Sequence, residues 1–520
     1  MNFLSILFMY ALGVFYHSKR VMFYLQILQQ EDYDTSRFFD WCKKNKAIDV
    51  RGLIGFIFLL FINKILGGLL VLGIIYFFQD PCKDAKLPLK KTKRAMRIYY
   101  TYLGLMGALN LIFCCNSIFL LFLVLSSPLI LMASVKFLES EELNRQAQYV
   151  ENAKNIYDSI NPFTIGITGS FGKTSVKHIL GPICQVTLGN TLWTKGGVNT
   201  IMGITQEIQD RFFYGLSYSV MEMGAYKRGS IAKVCELVKP KAAIITAVGE
   251  CHLERFKTQE TILKAKSELA ISLPDEGILV VNGDNQGARK IGEMYPKNTT
   301  LFYGLSKSED KKLDAYYKEY SYDKYGMKFI ISFKGADYPG YTKMLGNASL
   351  SNILAAFTMS CALGADPSYV LATICHLEPF NNRLQLEITS DVVFLHDAYN
   401  SNPQGFESAL DVLKNLELTN PSGRRILMTP GMIELGEKQF EHNKSIAIMA
   451  SKICDVVIFV GNTNKNAWME GLQGNKKNIN VLYFQNRDEA FKEFHQMRKN
   501  GDILLIENDL TDIYETPWRF

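Results

Sequence analysis

Two successive α/β units, each a parallel sheet with helices on its faces, preceded by apolar helices, form the fold class this sequence predicts. Three observations carry that prediction. Short β-rich apolar runs alternate with helix-like stretches from about residue 162 onward, the pattern of a parallel sheet covered by helices. A glycine turn leads from the first of these runs straight into a helix. The 38 residues from Ile98 to Val135 carry no charge, so the first quarter of the chain differs in kind from the rest.

The strand-like runs of the first unit are FTIGITG, YSVMEM, AAIITAV and GILVVNG. Those of the second are VVFLHDA, RRILMTP, DVVIFVG and DILLIEN. They divide the chain into a membrane region over 1–136, a central domain over 137–381 and a smaller Rossmann-like domain over 382–520. At 520 residues and 48% hydrophobic composition, there is ample apolar material for several cores. The net charge of +6 is modest, and much of the basic charge flanks apolar runs, where headgroups explain it better than nucleic acid does. No nucleic-acid module is present. Ten cysteines without any CxxC pair suit a reducing cytoplasm and argue against structural zinc.

As a single helix the uncharged run would extend about 57 Å at 1.5 Å per residue, whereas one crossing takes about 20 residues. A hairpin over about 99–134 is therefore expected, its helices Tyr99 to Cys114 and Ser117 to Ser134 turning near Cys115 and Asn116, with Pro128 inside the second. Further apolar segments over 3–16 and 53–78 are expected to contact lipid. The first is not read as a cleaved signal, because HSKRVMFYLQ offers no small-residue cleavage site. Seven Lys/Arg against two Asp place Gln79 to Ile98 in the cytoplasm. Ser18 to Gly52 also holds seven Lys/Arg, so the parity of the earlier segments stays open. The expected location is the cell membrane, multi-pass, with the catalytic domains cytoplasmic. The region serves either as an anchor or as a seat for a lipid-linked substrate.

The segment FTIGITGSFGKTSVKHIL has what a bound phosphate requires: backbone N–H donors, a cation and a helix N-terminus. Gly169 and Gly172 let the backbone approach, Lys173 supplies charge to the β- and γ-phosphates, and Thr174 offers a hydroxyl to Mg²⁺. Ser170 and Ser175 complete the turn. The usual GxxxxGK[ST] fingerprint fails, since Ile167 stands at the first glycine. An ordinary strand-to-helix turn is the competing reading. Glu222 follows the run YSVM, and His252 follows AAIITAV, which puts both at strand C-terminal ends, where ligands collect in α/β sheets.

The form TGSFGKTS resembles that used by the Mur ligases, the MurF type most closely. TKGGVNTIMG, YSVMEMGA, ECHLERF, KAKSEL, VNGDN, RLQL, HDAYNSNP and MIELGE follow in the same order. The resemblance implies an ATP-dependent carboxylate-amine ligase: ATP converts a carboxylate to an acyl phosphate, which an amine then attacks. It implies two Mg²⁺ ions, one held by Thr174 and Glu222 and another by His252. Lys266 would carry a carbamate formed with CO₂ and so join the metal ligands; a surface lysine paired with Glu260 or Glu268 is the alternative. Asn282 and Asp284 are placed near adenine, and Arg383 reaches the phosphates. Asp397 and Tyr399 meet the ribose beside Asn402, although DxYxxNP also fits a plain helix-closing turn. Asn199 and Thr200 would meet the acyl-acceptor end of the substrate, and His442 matches a C-terminal-domain position.

The sequence also departs from that pattern. Hydrophobic segments stand where a MurF-type ligase has its UDP-binding domain, which points to an acceptor on a lipid-linked or membrane-associated glycan. Ala348 and Ser349 replace a His-Asn pair while Asn352 remains, and Pro430 and Gly431 replace Gly and Asp. Glu507, Asn508 and Asp509 replace a Lys-Gly-Ser stretch, and an acidic stretch suits a cationic amine better than a carboxylate-bearing dipeptide. The expected partners are membrane lipid, an amino acid or peptide substrate and other cell-envelope synthesis proteins. The alternative function is a membrane-tethered nucleotide-binding scaffold without catalysis.

Overall fold

A computed structural model describes residues 3–45, 88–113, 117–225, 227–249, 258–307, 312–323, 326–379, 384–398, 401–416, 420–433, 435–473 and 479–508, with scattered positions between 47 and 76. The chain forms two compact units, one running through Ala147 and the other beginning at Gln148.

The first unit is helical: Phe3–Gln30, Thr35–Lys44, Lys93–Phe113 and the start of Ser117–Ile160. The first helix runs well past residue 16, where the apolar segment was expected to end. No glycine or proline interrupts residues 14–30, and the helix stops only where Asp32 and Tyr33 take φ of 56° and 62°. Asp34 then caps the next helix, accepting from Ser36 N and Arg37 N. The last helix likewise continues beyond Ser134, because residues 129–160 contain neither glycine nor proline. The pairs Lys136–Glu139 and Glu141–Arg145 support its polar half. The boundary expected near residue 136 thus falls inside an uninterrupted helix. Among the described residues one stretch, Phe122–Ile160, is long and apolar enough to cross a membrane. The expected turn at Cys115 and most of the segment 53–78 lie outside the described residues.

Among the described residues, fifteen strands build the second unit in two sheets. The first sheet contains β1 (Phe163–Thr168), β2 (Thr191–Trp193), β3 (Tyr218–Glu222), β4 (Ala242–Ile245), β5 (Ile278–Asn282), β6 (Thr299–Gly304), β7 (Ala315–Asp323), β8 (Gly326–Phe333) and β9 (Ala336–Thr342). Their order is β2-β3-β1-β4-β5-β6-β7-β8-β9, parallel through β7, with β7, β8 and β9 an antiparallel meander. The central strands are buried on both faces, which is why FTIGITG, AAIITAV and GILVVNG read as continuous apolar runs rather than alternating ones. Each fully buried Ile or Val contributes about 1.5–3 kcal/mol. Gly166 is small of necessity, since a Cβ there would lie 2.7 Å from Leu269 and 3.0 Å from Met223.

The second sheet contains β10 (Gln385–Ile388), β11 (Val392–Asp397), β12 (Arg425–Thr429), β13 (Val456–Val460), β14 (Asn480–Phe484) and β15 (Asp502–Glu507). Its order is β10-β11-β15-β12-β13-β14, parallel except for the antiparallel edge strand β10. All eight expected strands are present, four in each sheet. The short edge strand β2 and the meander strands β7 and β9 carry no comparable apolar run, so pairing with neighbours, not composition, makes them strands.

Candidate active site

Register places the glycine turn. Ile167 of β1 pairs with Glu222 of β3 on one side and Ile244 of β4 on the other, so residues 169–172 emerge between the C-terminal ends of those strands. Ser170 N donates to Ala247 O (2.8 Å), and Ser170 Oγ donates to Gly249 O (3.1 Å). Thr246 Oγ donates to Phe171 O. Asn285, the cap of helix Gln286–Met294, accepts from Val248 N at 2.9 Å and so ties the β4 loop to β5. The turn cannot carry side chains at its glycines. A Cβ at Gly169 would lie 1.9 Å from Thr246 Oγ, and one at Gly172, where φ is 84°, would lie 2.6 Å from Asn352 Oδ1. Gly172 begins helix Lys173–Thr187 without any side-chain cap, so its first N–H groups face the turn, the arrangement that receives a phosphate. Lys173 Nζ folds back to Gly169 O at 2.7 Å.

The next helical turn carries a group that the sequence reading missed. Lys177 and Thr174 are three residues apart and share a helix face. The Lys177 ammonium, fully buried, donates to Glu222 Oε2 at 2.9 Å and to Gly196 O. Asn199 Nδ2 donates to Glu222 Oε1 at 3.0 Å. Burial works to raise the Glu222 carboxyl, but Lys177, Lys173 and Asn199 outweigh it and hold it below its ordinary value. Burial lowers the Lys177 ammonium, against the pull of Glu222. The only hint in the sequence was position: a lysine four residues after Lys173, within the buried stripe Val176, Ile179, Leu180 and Ile183.

Thr174 lies one turn before Lys177 on the same helix face, and Glu222 at the end of β3 is the carboxylate that Lys177 binds; a hydroxyl and a carboxylate are the oxygen donors that a hard divalent cation takes. Lys266, 5% exposed, is not a surface lysine. Its helix, Gln259–Ser272, packs Leu269 against Gly166, and Lys266 lies one turn nearer the helix N-terminus. The surface pair is instead Glu260 with Lys264 at 2.7 Å. Glu268 accepts from Gly229 N, Ile231 N and Ala232 N, capping helix Ser230–Val238. His252, Arg383 and Tyr399 lie outside the described residues.

Other expected residues have local work in the structure. Thr200 caps helix Ile201–Arg211 by accepting from Gly203 N (3.2 Å), and Asn402 caps helix Pro403–Asn415 by accepting from Gly405 N (3.0 Å). Asn282 Oδ1 accepts from Asp284 N (3.0 Å), and Asp284 accepts from Leu305 N, shaping the turn after β5. Asp397 sits opposite Glu507 in the β11–β15 register and accepts from Leu384 N (3.3 Å). Ser175 lies in the first turn of its helix. His442 lies on helix Gln439–Ile453, partly buried. Buried Glu507 accepts from Ser401 Oγ at 2.7 Å, a pairing the sequence reading did not foresee.

Residues 167–360 match the Mur ligase middle domain, and residues 382–507 match the Mur ligase, glutamate ligase domain. The chain is 28% identical over 282 residues to the UDP-N-acetylmuramoyl-tripeptide--D-alanyl-D-alanine ligase of Escherichia coli (strain K12), covering 52% of this chain and 58% of that one. To the same-named ligase of Bacillus subtilis (strain 168) it is 25% identical over 375 residues, 70% of this chain and 79% of that one. In fold it is similar to MurF from Acinetobacter baumannii, with a TM-score of 0.61 and 22% identity over 70% of this chain and 77% of that one. MurF ligase from Thermotoga maritima in complex with ADP gives 0.60 and 23%, over 70% and 80%. The glycine turn, the strand-end glutamate and the second sheet all fall within the two domain matches, which together take in more than half of the chain, and the protein belongs to the Mur ligase family.

Proposed function

We propose that this protein is an ATP-dependent ligase of cell-wall synthesis. It activates a carboxylate as an acyl phosphate and joins it to the amine of an amino acid or peptide. The relatives' names specify a UDP-N-acetylmuramoyl-tripeptide and D-alanyl-D-alanine. We assign this chain an acceptor of the same peptide chemistry on a lipid-linked or membrane-associated glycan, and a membrane location for its N-terminal helices.

One observation carries the reading: Lys177, on the helix that begins with Lys173 and Thr174 at an uncapped glycine turn, binds the strand-end Glu222, which Asn199 also holds. Lys173 is positioned to swing from Gly169 O to a phosphate oxygen, and the free N–H groups of the helix start receive the same anion. Thr174 and Glu222 would hold a Mg²⁺ ion, which supplies charge stabilisation to the triphosphate and the activated carboxylate. Asn199 presents loop 194–200 toward Glu222, where the acceptor carboxylate would lie. Buried Lys266 is the chain's candidate for a carbamate, and a labile mass increase of one CO₂ on its peptide, exchanged by ¹³C-bicarbonate, would report it.

The test is turnover by the full chain in detergent or nanodiscs with ATP and Mg²⁺. ADP and phosphate should appear only when a muramoyl-tripeptide acceptor, UDP-linked or lipid-linked, and an amine are both supplied. Equal ATP loss with neither present refutes the ligase reading. Nucleotide binding without turnover on any acceptor would favour the scaffold. Faster turnover on the UDP-linked form would refute the lipid-linked assignment.

A further inference from the structure

Lys177 has a geometry that phosphate binding does not require. Its ammonium has no exposed surface and points away from solvent, between Glu222 Oε2 and Gly196 O. Gly196 belongs to the segment 194–200 that joins β2 to helix Ile201–Arg211. The same segment supplies Asn199, whose side chain donates to the other oxygen of Glu222 and whose carbonyl accepts from Gly224 N at 2.8 Å. Gly224 cannot be larger, because a Cβ there would lie 2.7 Å from Asn199 Oδ1. Lysine, glutamate and asparagine therefore form a buried clasp that joins the nucleotide helix, the end of β3 and this segment. Above it, Lys195, Gly196 and Gly197 are exposed, and a Cβ on Gly196 would meet nothing within 4 Å. The tip is held by Lys195 N, which donates to Glu207 Oε2 at 3.3 Å, and by the clasp underneath.

We propose that Lys177 is a positioning residue that fastens loop 194–200 to Glu222 and thereby fixes Asn199 where the acceptor substrate is received. The fastening follows from the contacts themselves; its use in receiving the acceptor rests on the ligase reading. A loop released from such a clasp samples open states far more often, and protease cleavage follows the open population.

The experiment is limited trypsin digestion of the full chain, following cleavage after exposed Lys195 by mass spectrometry, in the wild type, Lys177→Met and Lys177→Arg. Lys177→Met should be cut at Lys195 at least tenfold faster than wild type, with other sites unchanged. Lys177→Arg, which keeps the cation, should stay within threefold. A folded Lys177→Met protein cut at the wild-type rate overturns the proposal. If Lys177→Met does not fold, the double variant Lys177→Met/Glu222→Gln removes both charges and is read the same way, with tenfold faster cleavage expected and the wild-type rate refuting. In turnover with UDP-N-acetylmuramoyl-tripeptide as the probe, Lys177→Met should raise the acceptor KM tenfold or more and the ATP KM less than twofold. Equal rises overturn the positioning role. Absence of turnover in the wild type refutes the ligase reading instead, while digestion still decides the clasp.

Discussion

The Lys177–Glu222 pair makes a quantitative demand on stability. Two unit charges 2.9 Å apart attract by about 6 kcal/mol at an effective dielectric constant of about 20, and several kcal/mol of desolvation per ion oppose that gain. The net value of the intact pair is therefore small. Breaking it from one side is different, because the remaining charge stays buried with nothing to neutralise it, at a cost of about 3–5 kcal/mol. Lys177→Met leaves Glu222 with only Asn199 and the more distant Lys173. Glu222→Gln leaves the Lys177 ammonium with Gly196 O and the charge of Glu207. Each single variant should lower the unfolding temperature of the sheet unit, residues 148–509, by about 5 °C, taking an unfolding entropy of about 2.1 cal/mol/K per residue. The double variant should regain most of that loss, so its cost should fall several kcal/mol short of the two single losses summed. Thermal unfolding followed by circular dichroism in detergent measures all four proteins. Additive losses, or single variants within 1 °C of wild type, would show that the two groups are not an isolated buried pair.

The same carboxylate sets an acid limb. The folded protein holds Glu222 below its ordinary value of 4.5, so its stabilisation is fully present above the unfolded pKa and is lost as pH falls through the folded one; Glu222→Gln should flatten the loss of unfolding temperature below about pH 5, and an unchanged limb would refute this. Glu268→Ala removes the acceptor for three N–H groups of helix Ser230–Val238 and should cost about 2 kcal/mol, with nucleotide affinity unchanged by calorimetry. Gly169→Ala would set a Cβ 1.9 Å from Thr246 Oγ, so it should abolish binding of an ATP analogue while lowering the unfolding temperature by only a few degrees, about 1–3 kcal/mol of local strain. Lys173→Ala should weaken the same analogue about 10–100-fold, the worth of one charge-assisted hydrogen bond of about 1.5–3 kcal/mol.

The sequence exposed the features whose physics is local. Parallel strands buried on both faces must be apolar throughout, so IGIT, AAII and ILVV were visible as strands without any partner. Gly172 before Lys173 marked a strand-to-helix turn because few other residues tolerate that backbone. What stayed hidden depends on pairing across distance. Nothing near Lys177 announces that its partner is Glu222, 45 positions later in the chain, or that Glu268 caps a helix beginning at residue 230. A surface position was the alternative for Lys266, and only burial in the fold removes it. Helix ends were missed for a related reason: hydropathy marks where an apolar run stops, whereas Ser117–Ile160 stops only where Asn161 takes a φ of 49° ahead of Pro162.

Helix Gly346–Ala362 touches both the glycine turn after β1 and the helix that follows β11. Toward its first turns, Asn352 brings its side-chain oxygen to within 2.6 Å of where a Gly172 Cβ would stand, so the helix touches the glycine turn directly. At its N-terminus, Gly346 lies against helix Pro403–Asn415 so closely that a Cβ would meet Val412 at 2.9 Å and Ser408 Oγ at 3.1 Å. Ala348 N also donates to Ser408 Oγ at 3.4 Å. Helix Pro403–Asn415 is in turn fixed by its Asn402 cap to the loop following Asp397, at the C-terminal end of β11. The stretch from Gly346 to Asn352 therefore lies between the glycine turn and helix Pro403–Asn415. Neither contact leaves room for a side chain in place of the glycine, so enlarging Gly172 or Gly346 must displace the helix or its neighbour.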